Sequence, residues 1–182
     1  MALKATICKA ALQISDMDRG YYQEHALTVA RHPSETDERM MVRLLAFAIH
    51  ASEALSFGKG LSTDDEPDIW DRDLTGAIRT WIDVGQPDEK RIRKACGRSD
   101  QVFIYSYGAQ APRVWWGQIG SSLEKVRNLT VLRLPPETRE LAKLADRNMR
   151  LTCTIQDRQI WFSNEEDSVT IEPESLMTPA QA

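Results

Sequence analysis

Cysteine is scarce in this 182-residue chain, and its placement excludes two kinds of cross-link. The three cysteines, Cys8, Cys96 and Cys153, are far apart and odd in number, and no CxxC pair occurs. A disulfide framework and a four-cysteine zinc site are therefore not expected. The three histidines show neither HExxH nor HxxxH spacing, which argues against a catalytic zinc as well.

Long apolar runs and glycine-rich phosphate loops are also missing. The longest unbroken apolar run covers residues 44–49, whereas a membrane helix needs ~20 apolar residues. Lys9 and Gln13 interrupt the only apolar stretch near the N-terminus, so a signal peptide is not expected. Neither GxGxxG nor GxxxxGK[ST] occurs. We expect a cytoplasmic protein with reduced thiols, favour a monomer, and expect no membrane partner.

Charge and composition predict an ordinary globular protein. Lys and Arg number 23 against 27 Asp and Glu, a net charge of −4, so bulk charge does not favour coating of nucleic acid. Hydrophobic residues make up 42% of the chain and charged residues 27%, which is typical of folded domains. We predict a single domain over residues 1–182, with a loose tail from about residue 173.

The N-terminal third predicts a hairpin followed by a helix. Residues 4–14 and 21–31 have strand character around turn residues at 16–20, although alanine and leucine in 5–12 leave a helix open as the alternative. A helix should begin near Ser34 or Thr36. Its apolar stripe has helical spacing as far as Leu55, and Gly58 and Gly60 are expected to end it.

The remainder predicts a second hairpin, a basic helix and mixed structure. Strands that begin at 67–70 and cover 77–84 should pair around a turn at 73–76, and a helix should start at Pro87 and end at Gly97. The later expectations are a buried strand at 102–107, a short strand at 114–119, a helix at 123–127, a strand at 129–134, a helix at 136–147, and a meander at 151–155, 159–163 and 168–172. The class is α/β or α+β, with a mixed central sheet, flanking helices and an added C-terminal meander.

Two aspartates on the second hairpin carry the clearest chemistry. Asp68 lies at the start of one strand and Asp83 lies on its predicted partner. Carboxylates on neighbouring strands can converge on a hard cation such as Mg²⁺, which takes one or two carboxylates and completes its shell with water and phosphate oxygens. That cation serves phosphodiester hydrolysis. The alternative is that Asp68 is only a turn or strand-edge aspartate.

The wider sequence resembles the bacterial YaeQ family. The resemblance rests on residues 32–40, on Glu66-Pro67-Asp68-Ile69-Trp70, and above all on residues 81–91 with 94–98. It implies a variant of the PD-(D/E)xK restriction-endonuclease-like fold in a bacterial protein whose function is unsettled. The order of strand aspartate, hairpin, strand aspartate, helix and buried strand fits that core.

The chain departs from the nuclease signature at one position. That signature has a lysine two residues after the second acid, and here Gly85 occupies the position, with Gln86 next. Lys90, on the first turn of the basic helix, is a candidate for a displaced catalytic lysine, and Gln86 is a candidate for holding the attacking water. The alternative is loss of catalysis, which leaves a fold that binds without cutting.

Three further sets of residues are candidates for function. Glu38 extends the apolar stripe of the first helix and is a candidate third metal ligand, with Glu35 and Glu53 as weaker rivals. The tryptophans near the acids, Trp70 and Trp81, are candidates for base stacking or for the core. The basic helix offers a candidate nucleic-acid surface or a plain solvated face, made of Lys90, Arg91, Arg93, Lys94 and Arg98.

Cys96 lies among these basic residues, whose charges can lower a thiol pKa, but no histidine partner is evident, so packing is the favoured role.

Taken together, the residues predict an Mg²⁺-dependent nuclease or its remnant, with nucleic acid as partner. The alternatives are a non-catalytic nucleic-acid-binding module and a protein-interaction module on the same fold.

Overall fold

In the computed structural model, which describes residues 4–59 and 65–179, the chain opens with a long antiparallel hairpin. The two strands pair without interruption from Thr6 opposite Arg31 to Asp16 opposite Tyr21, and Gly20 turns between them with φ +65°. This confirms the predicted hairpin over the helical alternative. The elements of the described residues are β1 (Thr6–Asp16), β2 (Tyr21–Arg31), α1 (Asp37–His50), β3 (Leu55–Phe57), β4 (Ile69–Arg72), β5 (Ile78–Val84), α2 (Glu89–Arg98), β6 (Ser99–Ser106), α3 (Ala111–Leu123), β7 (Leu129–Arg133), a 3-10 helix (Pro136–Leu144), β8 (Asn148–Gln156), β9 (Gln159–Ser163), β10 (Ser168–Ile171) and β11 (Glu174–Met177).

The architecture is α+β with two mixed sheets rather than the single central sheet predicted. One compact unit combines the chain up to His50 with Glu137–Glu172, and the other combines Ala51–Pro136 with the chain from Pro173 on. The first unit contains a five-stranded sheet in the order β10-β9-β8-β1-β2. The predicted C-terminal meander belongs to this sheet because β8 pairs parallel with β1.

Helix α1 begins where the sequence predicts and ends earlier. Thr36 caps it, since the Thr36 hydroxyl accepts a hydrogen bond from the Arg39 N–H at 3.1 Å. The helix ends at His50, and Leu55 lies in β3, so the prediction of a helix as far as Leu55 was wrong. Gly58 instead lies against the segment just before β4, where an added Cβ would lie 2.1 Å from the Pro67 carbonyl oxygen. Gly60 lies outside the described residues.

The second unit contains a six-stranded sheet in the order β11-β7-β6-β5-β4-β3. Strands β4 and β5 form the predicted hairpin, and β5, β6 and β7 run parallel. Helices α2 and α3 contribute Ile92, Ala95 and Leu123 to a core shared with Val102 and Val131 of the sheet. The candidate site lies on this unit.

Three local predictions in the second half of the chain were wrong. Residues 114–119, predicted as a strand, lie inside α3, which starts with a proline in its first turn and leaves room beside Gly120 for the Trp116 ring. The helix predicted at 123–127 contributes only Leu123, the last residue of α3. The tail predicted to be loose contains β11, which pairs antiparallel with β7. Residues 180–182 lie outside the described range.

The helix predicted at 136–147 is shorter and takes the 3-10 form at Pro136–Leu144. Within the described parts of the chain, no helix combines the length and apolar character needed to cross a membrane.

Candidate functional site

The two predicted aspartates lie together at one end of the β4–β5 hairpin. Ile69 pairs with Ile82, so extending the register by one residue puts Asp68 opposite Asp83. The Asp68 N–H donates a hydrogen bond to Asp83 Oδ1 at 3.2 Å, and the Val84 N–H donates to Asp68 Oδ2 at 2.9 Å. Both residues are only 2% exposed. The hairpin thus holds two acidic side chains next to each other in a buried position.

Arg91 on α2 pairs with this acidic end of the hairpin. Its Nε donates to Asp83 Oδ2 at 2.8 Å and its Nη2 donates to Asp83 Oδ1 at 3.1 Å, a bidentate ion pair. The same Nη2 donates to the Glu66 carbonyl oxygen at 3.0 Å. These contacts join the guanidinium to two oxygens of a carboxylate and to one oxygen of the backbone.

The start of α2 explains why Arg91 takes this position. Asp88 caps the helix by accepting the Arg91 N–H at 2.7 Å, so Pro87, predicted as the first helical residue, lies outside the helix. Ile92 and Ala95 are fully buried and define the face of α2 that packs on the sheet. Arg91 precedes Ala95 by four residues, so the two side chains lie on the same side of the helix.

Arg91 is the cation that sequence reasoning did not place at the acids. Lys90, the predicted replacement for the signature lysine, is exposed, and its ammonium has no ion-pair or hydrogen-bond partner among residues 4–59 and 65–179. The signal that could have identified Arg91 is its four-residue spacing from Ala95. The structure brings Asp68, Asp83 and Arg91 together and leaves Lys90 outside that cluster.

Gln86 lies where β5 and β6 end. Its side-chain amide donates to the Ser106 hydroxyl at 2.9 Å and to the Tyr107 carbonyl at 2.6 Å. Gly85 makes the turn out of β5 with φ +99°, and its N–H donates to the Tyr105 carbonyl at 2.8 Å. The Gln86 amide is thus anchored to the end of β6.

The two tryptophans on this hairpin belong to the core. Trp81 is 1% exposed, with the guanidinium carbons of Arg91 and Arg98 each 5.7 Å from the ring centroid. Trp70 is 8% exposed and has the Arg72 guanidinium 4.0 Å from its ring centroid. These contacts favour the core interpretation over base stacking. The Trp81 Nε1 is buried and has no hydrogen-bond partner among the described residues.

The other basic residues of α2 contact acids or backbone carbonyls. Arg93 pairs with Glu89 at 2.9 Å, Lys94 pairs with Asp65 at 2.7 Å, and Arg98 donates to the Asp65 carbonyl at 3.1 Å. The Lys94 ammonium lowers the pKa of the Asp65 carboxyl by hydrogen bonding and by charge. Salt bridges between exposed groups are weak, so these pairs hold the cations loosely.

The other candidate metal ligands, Glu38, Glu35 and Glu53, lie in α1 or close to its ends. Burial raises the pKa of Glu38, and the Arg139 guanidinium opposes that shift. The Glu35 carboxylate accepts hydrogen bonds from Arg39 at 3.0 Å and from Arg43 at 2.8 and 2.7 Å, so this rival metal ligand is already paired. Glu53 is exposed. Within residues 4–59 and 65–179, no three His, Cys, Asp or Glu side chains are grouped so as to hold a metal.

The Cys96 thiol has the opposite pKa shift to the one its basic neighbours suggest. Burial raises its pKa to about 11, and the nearby Arg93 charge opposes this only in part. The thiol packs against the core of the second unit. This supports a packing role.

Fold and site together define an α+β protein with two mixed sheets and a buried aspartate pair beside an arginine. The chain belongs to the YaeQ family, whose family model, described as YaeQ protein, matches residues 1–173. The protein named Uncharacterized protein YaeQ from Salmonella typhi is 44% identical over 181 residues, which is 99% of this chain and all of that protein. The protein of the same name from Escherichia coli (strain K12) is 44% identical over 183 residues, again 99% of this chain and all of the relative.

Two solved structures show the same fold. The crystal structure of YaeQ protein from Xanthomonas axonopodis pv. citri matches with a TM-score of 0.93 and 52% identity, covering 96% of this chain and 99% of that one. The crystal structure of YaeQ protein from Pseudomonas syringae matches with a TM-score of 0.91 and 34% identity, covering 96% and 97%.

Proposed function

We propose that Asp68 and Asp83 bind Mg²⁺ and that this protein hydrolyses phosphodiester bonds in nucleic acid. The observation that carries the proposal is the pairing of two carboxylates across the end of one hairpin, with each residue 2% exposed. Buried adjacent carboxylates repel one another, and proteins retain them chiefly where a cation binds between or beside them. The order of strand, hairpin and helix around them supports a PD-(D/E)xK-like core.

The donor atoms suit a hard cation. The acidic end of the hairpin offers carboxylate oxygens from Asp68 and Asp83 and the Glu66 carbonyl oxygen, and Mg²⁺ prefers oxygen ligands of this kind. When bound, Mg²⁺ would neutralise phosphoryl charge and activate water. Glu38 lies in the first unit, so this ligand set does not include it.

The other residues of the second unit have separate tasks in this proposal. Lys90 provides a compact positive charge for a phosphoryl oxygen from the exposed first turn of α2. Gln86, anchored to the end of β6, orients the attacking water through its amide oxygen. Phosphate groups flanking the scissile bond are held by the cations of α2, which are Arg91, Arg93, Lys94 and Arg98.

A second function has its own supporting observation. Both oxygens of Asp83 are already paired with Arg91, which neutralises the charge without a metal. Combined with glycine at the position of the signature lysine, this favours a module that binds nucleic acid without cutting it. The two functions share the basic surface of α2 and differ in whether a metal binds.

The proposed function is tested by incubating the protein with single- and double-stranded DNA and RNA in Mg²⁺, in Mn²⁺ and in EDTA. We expect metal-dependent cleavage by the wild type and its loss in Asp68→Asn and Asp83→Asn, with the folded state of each variant checked by circular dichroism. Asp65→Asn, which removes an exposed acid from the same unit, is the matched control. Binding of nucleic acid without cleavage under every condition would establish the second function instead.

A further inference from the structure

We infer that Arg91 is an exchangeable counter-ion that occupies the cation position of the Asp68–Asp83 site whenever no metal is bound there. This inference rests on the proposed function, because it assigns a resting occupant to the same site. The resting protein would then keep Asp83 neutralised by an internal cation, and metal binding would require the Arg91 side chain to leave.

The contacts of the guanidinium carry the inference. Arg91 contacts Asp83 Oδ1, Asp83 Oδ2 and the Glu66 carbonyl oxygen, all within 3.1 Å. Oxygen atoms of these two kinds are the ligands that a hard divalent cation takes. A metal bound to Asp83 through both oxygens therefore needs the space and the lone pairs that Arg91 now uses.

The position of Arg91 on its helix supports exchange over a permanent structural role. Arg91 is the third residue of α2, close to the positive end of the helix dipole, where a cation is disfavoured. Its charge is stabilised there by Asp83 rather than by the helix. Once a metal neutralises Asp83, the attraction that holds the guanidinium in place is lost.

Exposure allows the side chain to leave. The Arg91 side chain is 22% exposed, whereas the Asp83 side chain is 3% exposed. The guanidinium therefore reaches solvent by rotation of its own side chain, without opening the hairpin. A released guanidinium is well suited to a phosphodiester, because its planar fork matches two phosphate oxygens.

Calorimetric titration of the full chain with Mn²⁺ alone tests the exchange. The informative variant is Arg91→Gln, which removes the competing charge, and Arg91→Lys is the second variant because it keeps the charge and loses the bidentate contact. Arg93→Gln is the matched control on the same helix, since Arg93 pairs with Glu89 and makes no contact with Asp83. Thermal unfolding in EDTA and in Mn²⁺ is recorded for each protein.

We expect Arg91→Gln to bind Mn²⁺ at least about tenfold more tightly than the wild type. The Mn²⁺ affinity of Arg91→Lys should fall between those two, and that of Arg93→Gln should match the wild type. Mn²⁺ should also raise the unfolding temperature of Arg91→Gln more than that of the wild type, because the metal replaces the missing counter-ion. Mn²⁺ binding by the wild type with equal or weaker binding by both Arg91 variants would overturn the exchange and leave the metal site intact. No Mn²⁺ binding by the wild type or any Arg91 variant would instead overturn the proposed metal site.

Discussion

Asp68 and Asp83 face each other one residue beyond the last paired positions of the β4–β5 hairpin, and the backbone N–H of Asp68 donates a hydrogen bond to the Asp83 carboxylate. This places two acids in a region where water is largely excluded. A backbone amide and a guanidinium compensate for the lost hydration of Asp83. The site is therefore held together by a small set of charged contacts, each of which can be removed singly.

Asp83→Ala should lower the free energy of unfolding by about 3 kcal/mol, because it removes the bidentate ion pair with Arg91 and the buried hydrogen bond from the Asp68 N–H. The measurement is urea-induced unfolding followed by circular dichroism, with metal removed by EDTA. The control Asp65→Ala breaks an exposed pair with Lys94 and should cost less than about 1 kcal/mol. Equal effects of the two substitutions would show that the Asp83–Arg91 pair contributes little.

Lys90→Ala should lower any metal-dependent cleavage by roughly 10²–10³-fold while metal affinity stays nearly constant, because one preorganised charge beside the phosphoryl group is lost. Cleavage rates under single-turnover conditions and Mn²⁺ calorimetry give the two quantities. Lys94→Ala, one turn further along α2, is the control and should mainly weaken binding and reduce its salt dependence. A cleavage rate unchanged by Lys90→Ala would assign the catalytic cation elsewhere, with Arg91 the leading candidate.

The protein should become less stable as the pH falls, and His50 should account for part of that loss. Desolvation of its ring, helped by the Arg19 guanidinium, lowers the pKa of His50 to about 3. The unfolded chain, with a histidine pKa near 6.5, then binds a proton that the folded chain does not, so this contribution is complete above about pH 6.5 and declines as the pH falls toward 3. His50→Gln should reduce the slope of unfolding free energy against pH between 6 and 4 by up to about 1.4 kcal/mol per pH unit.

His32→Gln is the control for that experiment, since His32 is exposed and its ring is hydrogen-bonded to the neighbouring Ser34. Equal slopes for the two variants would contradict the assignment to His50.

Thiol reagents should react slowly with the folded protein. Burial raises the pKa of Cys96 to about 11 and that of Cys153 to about 12, so at pH 8 only about one Cys96 thiol in a thousand is ionised. Titration with an aromatic disulfide reagent at pH 8 should modify Cys96 far more slowly than a model thiol, whereas all three cysteines should react in denaturant. Cys96→Ala should lower stability and leave nucleic-acid binding unchanged. Rapid reaction of Cys96 in the folded chain would contradict the packing role.

The sequence predicted the elements whose signals are local. Both hairpins were predicted because turn residues separate runs with strand character, and the start of α1 was predicted because Thr36 supplies a capping hydroxyl. Helix α3 was mistaken for a strand because a six-residue window over Trp115 and Trp116 does not separate the helical period from the strand period. β11 was missed because its stability comes from pairing with β7, a contact between distant parts of the chain.

For the candidate site too, the local features could be predicted and the contacts between distant residues could not. Asp68 and Asp83 were predicted to be neighbours, because a short hairpin fixes which residues face each other. The role of Arg91 could not be predicted, because it depends on how α2 is rotated about its axis as it packs on the sheet. Lys90 and Arg91 are adjacent in sequence, so their side chains point about 100° apart around the helix, and only the rotation decides which of them faces the acids. The presence of two sheets was missed because the parallel pairing of β1 with β8 joins segments that no local pattern connects.

That pairing of β1 with β8 has a consequence for biosynthesis. The N-terminal hairpin leaves the ribosome first, yet β8 is made only after the whole of Ala51–Pro136. Until then one long edge of β1, from Lys9 to Asp16, has no strand to pair with. Incomplete chains that stop before Asn148 should therefore be prone to aggregation and should depend on chaperones, in contrast to the full-length protein.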